Sequence, residues 1–443
     1  MFKIETSLKG FMDLTIHRGA REIGGSCVEV SAGNTRILID FGMPLVDEDR
    51  EPFDSRKLTG KSVAELKESG ILPDIKGLYN DEPKGIDAIL ISHSHQDHYG
   101  LLDYANPDIP LYMSSGVKAL IEVSNIFIYD KPARINAKVV KAWKPFKIGD
   151  FTIIPYLVDH SGFDAFAFLV EAGGKRLYYS GDFRSHGRKG VLFDNMLKRP
   201  PENIDRLLLE GVMLGRAGQI YNDENEVERR MEKILRETDN IVFLSCSSQN
   251  IDRLVSAYRA CLRTDRTFVI DLYTAFMLSK LRKVSDRLPQ YDSDNIRVKF
   301  WKAHADSLEK AGYRDLLYVY NRRKIELFEI NKKKDKVLML MRDNSVFPRA
   351  VKELDGIKGA KLIYSMYEKY LTEEFKEKCG RKGIEIEHVH TSGHAVLKDL
   401  QDFTAVLKPR KLTPIHTFEP DKYPAVFENV EVEIVPDGRT VEV

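Results

Sequence analysis

The chain has 443 residues, 43% of them hydrophobic, and a formal net charge of +1, so it can bury a large core and its length allows about three domains. A near-neutral balance excludes a protein that coats nucleic acid: any polyanion has to be held by a local patch or by metal ions. No stretch reaches the roughly eighteen apolar residues of a membrane span, the opening Met1-Phe2-Lys3-Ile4-Glu5 is not a signal peptide, and a cytoplasmic location without membrane contact is expected.

The first segment alternates short strands with glycine turns. Leu14-Thr15-Ile16 leads through Gly19 to Ser26 into Cys27-Val28-Glu29-Val30, and then Arg36 to Gly42 carries Asp40 at the end of an apolar strand. A carboxylate there is placed to orient a metal ligand by accepting its free imidazole N–H. Residues 47 to 80 are charged and irregular, with one helical patch from Ser62 to Ser69. Ile86-Asp87-Ala88-Ile89-Leu90-Ile91 is a buried strand, and the turn leaving it holds His93, His95, Asp97 and His98. Three of the eleven histidines fall within six positions, which points to a metal site. Imidazole and carboxylate donors suit zinc and its divalent neighbours, and no thiolate makes this a closed structural site. The four scattered cysteines, Cys27, Cys246, Cys261 and Cys379, lack CxxC spacing and are expected to be buried free thiols.

Helical spacing follows from Gly116 to Tyr129, and Phe151 to Asp159 is a strand ending in His160. Ala165 to Glu171 and Arg176 to Tyr179 repeat the pattern, the second delivering Asp182. Successive strands thus bring His93, His95, His160 and Asp182 toward one sheet edge, adding a third histidine and a carboxylate able to bridge two metals.

His93-Ser94-His95-Gln96-Asp97-His98, with Asp40 before it and His160 and Asp182 after it, resembles the metallo-β-lactamase fold. That resemblance implies an αββα sandwich with a dinuclear metal site at one edge. Within that superfamily, Gly19 to Val30 and Asn34 to Met43 resemble the β-CASP ribonucleases, among them ribonuclease J. Leu207-Leu208-Leu209-Glu210 is a further buried strand, after which the composition changes. Glu224 to Glu237 is a charged amphipathic helix, and Ile241 to Leu244, helix Ile251 to Arg263, strand Thr267 to Asp271 and another helix read as a parallel α/β unit. Residues 303 to 330 read as helical and basic, and Lys332-Lys333-Lys334 as a solvated turn. Val337 to Met341 and Leu362 to Ser365 read as strands, Ile384 to His390 as an alternating strand, Leu397 to Leu407 as a helix, and Lys411 to Thr417 as a strand ending in a histidine.

The resemblance matches Glu210, His394 and His416 to the remaining β-CASP positions. It implies residues 1–212 and 386–443 as two parts of one metallo-β-lactamase domain, with 213–385 an inserted parallel-sheet cap. His93, His95 and His160 would hold one cation, Asp97, His98 and His416 the other, and Asp182 would bridge. Two divalent ions, zinc first and manganese second, would activate a hydroxide for attack on a phosphodiester of single-stranded RNA. Asp97 would also position the water, and His394 would stabilise the phosphate or protonate the leaving oxygen. Glu210 would orient His394, His390 and Ser392 would lie near the substrate phosphate, and His388 would be solvated. A homodimer is left open.

The departures concern the cap and the end of the chain. Met341 to Phe347 stands where the family has a glycine-rich loop, Thr417-Phe418-Glu419 follows the last histidine, and the usual C-terminal domain is not expected after Val443. Two alternatives remain, a same-fold hydrolase acting on DNA or a small ester, and a non-catalytic RNA-binding scaffold.

Overall fold

The computed structural model describes residues 11–47, 49–131, 135–216 and 220–443. The opening residues, expected not to form a signal peptide, lie outside the described residues. Two seven-stranded sheets pack face to face. The first runs Thr440–Glu442, Met12–Arg18, Cys27–Ala32, Thr35–Ile39, Ala88–Leu90, Leu111–Met113, Ala137–Val139. The second runs Glu431–Val432, Lys411–Ile415, Arg206–Glu210, Lys175–Tyr179, Phe166–Ala172, Phe151–Leu157, Phe146–Ile148. The period-two pattern read from the sequence sets their faces: Leu14, Val30 and Ile39 from one sheet meet Phe168, Val170 and Leu208 from the other in a single core.

Helices cover both outer faces. Val63–Glu68, capped by Ser62, and Ser115–Phe127 seat Leu66, Val117 and Ile121 on Leu38 and Ile89. Val191–Lys198 and Leu397–Leu407 seat Phe193, Leu400 and Phe403 on Leu169 and Leu207. The architecture is therefore the expected αββα sandwich.

A third sheet of six strands, Ile296–Lys299, Thr267–Asp271, Val337–Leu340, Val242–Ser245, Lys361–Tyr364 and Glu385–His388, is parallel throughout. It carries helices on both faces. Its insertion is visible in the register of the sandwich: Arg206–Glu210 and Lys411–Ile415 flank the whole cap, yet pair in parallel from Arg206↔Lys411 to Glu210↔Ile415. One detail differs from expectation. The cap sheet continues to His388, past the expected boundary at 385, because Glu385–His388 pairs with Lys361–Tyr364. Residues 303–330 are helical as expected, in three helices, Lys302–Lys310, Arg314–Asn321 and Leu327–Lys332, the first followed by Gly312 with φ +81°. Of the expected solvated lysines, Lys332 and Lys333 are exposed, but Lys334 is half-buried and donates to the Asp355 carbonyl. The four cysteines are free and buried. Among the described residues no helix is long and apolar enough to cross a membrane.

Cap and sandwich are joined by buried charge. Arg184 and Arg253 are both 0% exposed, so each must be fully paired or cost several kcal/mol of uncompensated desolvation. Arg184, on the loop after Asp182, donates to Asp252 of the cap (2.6 Å) and to the Ser392 carbonyl (2.9 Å), with Asp159 at 3.5 Å. Arg253 donates within the cap to Glu224 (2.9 Å) and to the Ser365 carbonyl (3.1 Å), and reaches across to the Thr391 carbonyl (3.4 Å), while Arg184 lies 3.5 Å from Glu224. Burial alone would raise the Glu224 carboxyl, but Arg253 and Arg184 hold it at about 2, below its ordinary 4.5. A depressed carboxylate stabilises the joint above its unfolded pKa and loses that contribution as pH falls from about 4.5 toward 2. Glu224→Gln is therefore expected to lower stability at pH 7 and to flatten the acid limb of a stability-against-pH curve; an unchanged acid limb would count against the joint.

Candidate metal centre

The site is built from strand ends. Ala88–Leu90 is a three-residue buried strand, and the chain leaves it through Ser92 to His93. His95 then stands at the N-cap of the short helix Gln96–Tyr99, which turns Asp97 and His98 to a second point. His160 follows strand Phe151–Leu157, Asp182 follows Lys175–Tyr179, and His416 follows Lys411–Ile415. A clamp of backbone bonds holds the short helix: Ser26 N–H donates to the Asp97 carbonyl (3.0 Å) and Phe41 N–H to that of His98 (2.9 Å). Gly42 lies so close that a Cβ would fall 1.7 Å from the Asp97 carbonyl oxygen, so only glycine fits.

The seven expected donors converge in two groups. His93 Nε2 and His160 Nε2 each lie 3.1 Å from His95 Nδ1. His98 Nε2 and His416 Nε2 lie 3.8 and 3.6 Å from Asp97 Oδ2. Asp182 Oδ2 sits between the groups, 3.6 Å from His93, 4.0 Å from His160, 3.4 Å from His98 and 3.6 Å from His416. Bonds of about 2.0–2.1 Å to a tetrahedral cation put neighbouring donors about 3.3 Å apart, and the observed spacings bracket that value. His93, His95 and His160 form one candidate set and Asp97, His98 and His416 another, while Asp182 forms two more, one with His93 and His98 and one with His160 and His394.

Satisfaction of the polar atoms gives an independent test of fit. His98 Nε2, His416 Nε2 and both Asp182 oxygens are buried without a hydrogen-bond partner, at a cost of about 1–3 kcal/mol each. The other nitrogens of the same rings are engaged. His98 Nδ1 donates to Asp40 (2.8 Å) and His160 Nδ1 to the Gly393 carbonyl (2.6 Å), while His416 Nδ1 accepts from the Gly24 N–H (3.2 Å) beside Ser26 Oγ (3.0 Å). Rings held from behind by an acceptor, as His98 and His160 are, turn Nε2 forward as divalent cations require. Burial pushes the imidazoles of His93 and His160 well below their ordinary range and His95 to about 4, which keeps them in the neutral form that binds a cation.

Asp40 takes the orienting position read from the sequence. Besides His98, it accepts from Ser92 N–H and Oγ (2.7 Å each) and from Tyr179 Oη (2.8 Å), with its backbone at φ +62°. Glu210 accepts from the Phe183 and Val212 N–H groups and lies 3.3 Å from His394 Nδ1. Burial works against a charged His394, but Glu210 and Asp182 more than offset it and raise its pKa. The His394 side chain is 20% exposed against 0–2% for the histidines His93, His98, His160 and His416, so it faces the cleft. Ser392 Oγ accepts from the His394 N–H (3.0 Å).

His390 stands apart from the metal donors, its Nδ1 3.3 Å from Arg253. His388 is half-buried and bonded to the Met366 carbonyl (2.9 Å) rather than solvated. Sequence reasoning missed Ser92, Tyr179, Ser26 and the Gly393 carbonyl. Tyr179 was recoverable, since it shares the inward face of its strand with Leu177; a backbone carbonyl has no sequence signal.

Comparison with known proteins agrees with this geometry. The beta-lactamase superfamily domain model matches residues 73–220. Ribonuclease J of Mycoplasma pneumoniae is 23% identical over 420 residues, covering 90% of this chain and 66% of the relative. That of Helicobacter pylori strain 26695 is 23% identical over 288 residues, 61% of this chain and 37% of the relative. The chain thus spans less than two thirds of the length of these relatives. A crystal structure of a protein of unknown function from Enterococcus faecalis V583 superposes with a TM-score of 0.78 at 21% identity, over 98% of this chain and all of that one, which shows the shared fold.

Asp40→Asn removes the anionic acceptor behind His98. It is expected to weaken binding of divalent ions by about 10–100-fold with the fold intact, measured by chelator competition; unchanged affinity would remove Asp40 from the site.

Proposed function

We propose that this chain, which carries a metallo-β-lactamase domain and resembles ribonuclease J along most of its length, hydrolyses phosphodiester bonds of single-stranded RNA. The observation that carries the proposal is the two-group arrangement of donors about the unpaired Asp182 carboxylate, at a sheet edge joined to an inserted α/β cap. His93, His95 and His160 would hold one divalent ion, Asp97, His98 and His416 the other, with Asp182 shared. Bound there, such ions neutralise phosphate charge and lower the pKa of water from 15.7 to about 7. The all-histidine and carboxylate donor set favours zinc, with manganese next.

The protein's own groups supply the rest. Asp40 and the Gly393 carbonyl accept from Nδ1 of His98 and His160, so the neutral form of either ring turns a bare Nε2 to the site. His394, held at Nδ1 by Glu210, leaves Nε2 to carry a proton toward the leaving oxygen. Ser392 fixes the turn on which His394 stands. Asp97 serves first as a donor and second in directing the attacking oxygen. A cap beside the centre suits a long, flexible substrate gripped by its backbone and bases.

His95→Ala and Asp182→Ala are each expected to abolish cleavage of end-labelled single-stranded RNA in a folded protein. Removing one preorganised group typically costs about 10²–10³ in kcat, and losing a cation costs more. Retained turnover in both variants refutes the assignment. Matched DNA and RNA oligonucleotides separate the nearest rival, since comparable cleavage of both would favour a nuclease without sugar preference. Single-nucleotide products would mark an exonuclease and discrete longer fragments an endonuclease.

A further inference from the structure

With a net charge of only +1, the protein needs a local concentration of positive charge to hold a polyanion beyond the scissile bond. The described residues contain one away from the metal centre. An open groove of about 600 Å³ lies where helix Ser115–Phe127 of the sandwich meets helices Leu272–Leu281 and Arg314–Asn321 of the cap. Four cations line it, Lys118, Lys280, Arg282 and Lys283, against one acid, Glu122. Lys118 is paired with Glu122, and Arg282 with Asp292 outside the lining (3.2 Å). Among the described residues no acid lies within ion-pair distance of Lys280 or Lys283.

Part of the remaining lining is aromatic. Tyr291 and Tyr313 contribute half-buried rings beside the buried Phe276 and Tyr320, and the Lys280 ammonium lies 4.4 Å from the Tyr313 ring centre, 5.1 Å from that of Phe276 and 3.0 Å from the Tyr313 hydroxyl. Unpaired ammonium groups near partly open rings are the combination that grips a single strand, the lysines taking phosphates and Tyr291 and Tyr313 offering ring surface to bases. An acidic peptide would use the charge but has no flat bases for the rings. The groove is also tied to the centre: at the start of the sandwich helix, Gly116 N–H donates to Asp164 (2.8 Å), four residues after His160.

We infer that the Lys118–Lys280–Lys283 groove is a second contact for single-stranded RNA, holding a stretch of the strand outside the metal cleft. The inference rests on the RNA reading above, and its test measures binding alone, so failure of the cleavage assay leaves it standing or falling by itself. A labelled, cleavage-resistant phosphorothioate RNA of about 20 nucleotides, longer than a single-strand site of roughly 4–16, is titrated with the metal-loaded protein and with Lys280→Ala/Lys283→Ala. The variant is expected to bind it about 10-fold more weakly. Its slope of log affinity against log salt should be shallower by about 1.4, since each lost phosphate contact removes about 0.7. An RNA of about 5 nucleotides should bind both proteins alike, and Lys280→Arg/Lys283→Arg should retain wild-type affinity for the long RNA. Equal affinity and slope for the alanine variant overturns the inference. So does an equal loss with the short RNA, which would place the lysines in the field of the metal cleft. Competition by polyglutamate as effective as that by unlabelled RNA overturns the nucleic-acid assignment.

Discussion

The rest of the structure depends on the desolvation of one carboxylate. Asp182 is buried, neither oxygen has a hydrogen-bond partner, and the ring nitrogens of His93, His98, His160, His394 and His416 lie 3.4–4.0 Å from Oδ2. An anion withdrawn from water in this way is stable only if positive charge is brought to it; burial keeps His93, His160 and His416 from supplying it, while the carboxylates around His98 and His394 raise those two rings against their burial. That constraint explains why so many strand ends converge on one edge of the sandwich. Asp40 and the Gly393 carbonyl hold the rear nitrogens of His98 and His160, turning the front ones toward Asp182.

The same loop that ends in Asp182 holds the cap. Arg184 reaches Asp252 of the cap and the Ser392 carbonyl, while the next peptide oxygen, that of Gly393, orients His160. Two consecutive carbonyls on the returning chain therefore serve the cap joint and the metal centre. His186 also donates to the Ser392 oxygen (3.0 Å), and Arg188 ties Asp252 to the loop through its own N–H (3.0 Å). A buried network of this kind has few alternative pairings that leave no charge stranded. Displacement of the cap would be felt at His160 before it reached any substrate contact.

Much of this was legible in sequence because it was local. Helices Glu224–Glu237, Ile251–Arg263 and Leu397–Leu407 keep the bounds that apolar spacing gives, and the donors follow strands whose apolar runs are unmistakable. Asp40 could be placed only beside the histidine cluster, since a carboxylate ending a strand is by itself more often a turn residue. Residues 303–330 are helical as read, divided where Gly312 takes a left-handed conformation and where Lys324 pairs with strand residue Val298. One misreading has a physical cause. His388 lies in an alternating strand that looks like a solvated edge, until Met366 supplies an acceptor from the adjoining loop. Arg184 and Arg253 were invisible as buried residues, since only the fold reveals that their partners are 25 to 208 positions away.

The cap also shows why a basic residue near a cleft is not by itself a phosphate ligand. Arg342 stands in the Met341 to Phe347 segment that departs from the glycine-rich loop of related nucleases, beyond the end of strand Val337–Leu340. Its guanidinium is committed to Asp271 and to Ser248 Oγ (2.7 Å), and it lies over the ring of Tyr273 at 5.3 Å. Burial alone would raise the Asp271 carboxyl, but Arg342 and His304 hold it below its ordinary range, so the charge of Arg342 is spent inside the protein. A phosphate arriving there would have to displace a buried carboxylate, which costs more than displacing water. Lys280 and Lys283 face no such competitor, and the difference between the two places lies in what already neutralises each cation rather than in how many cations there are.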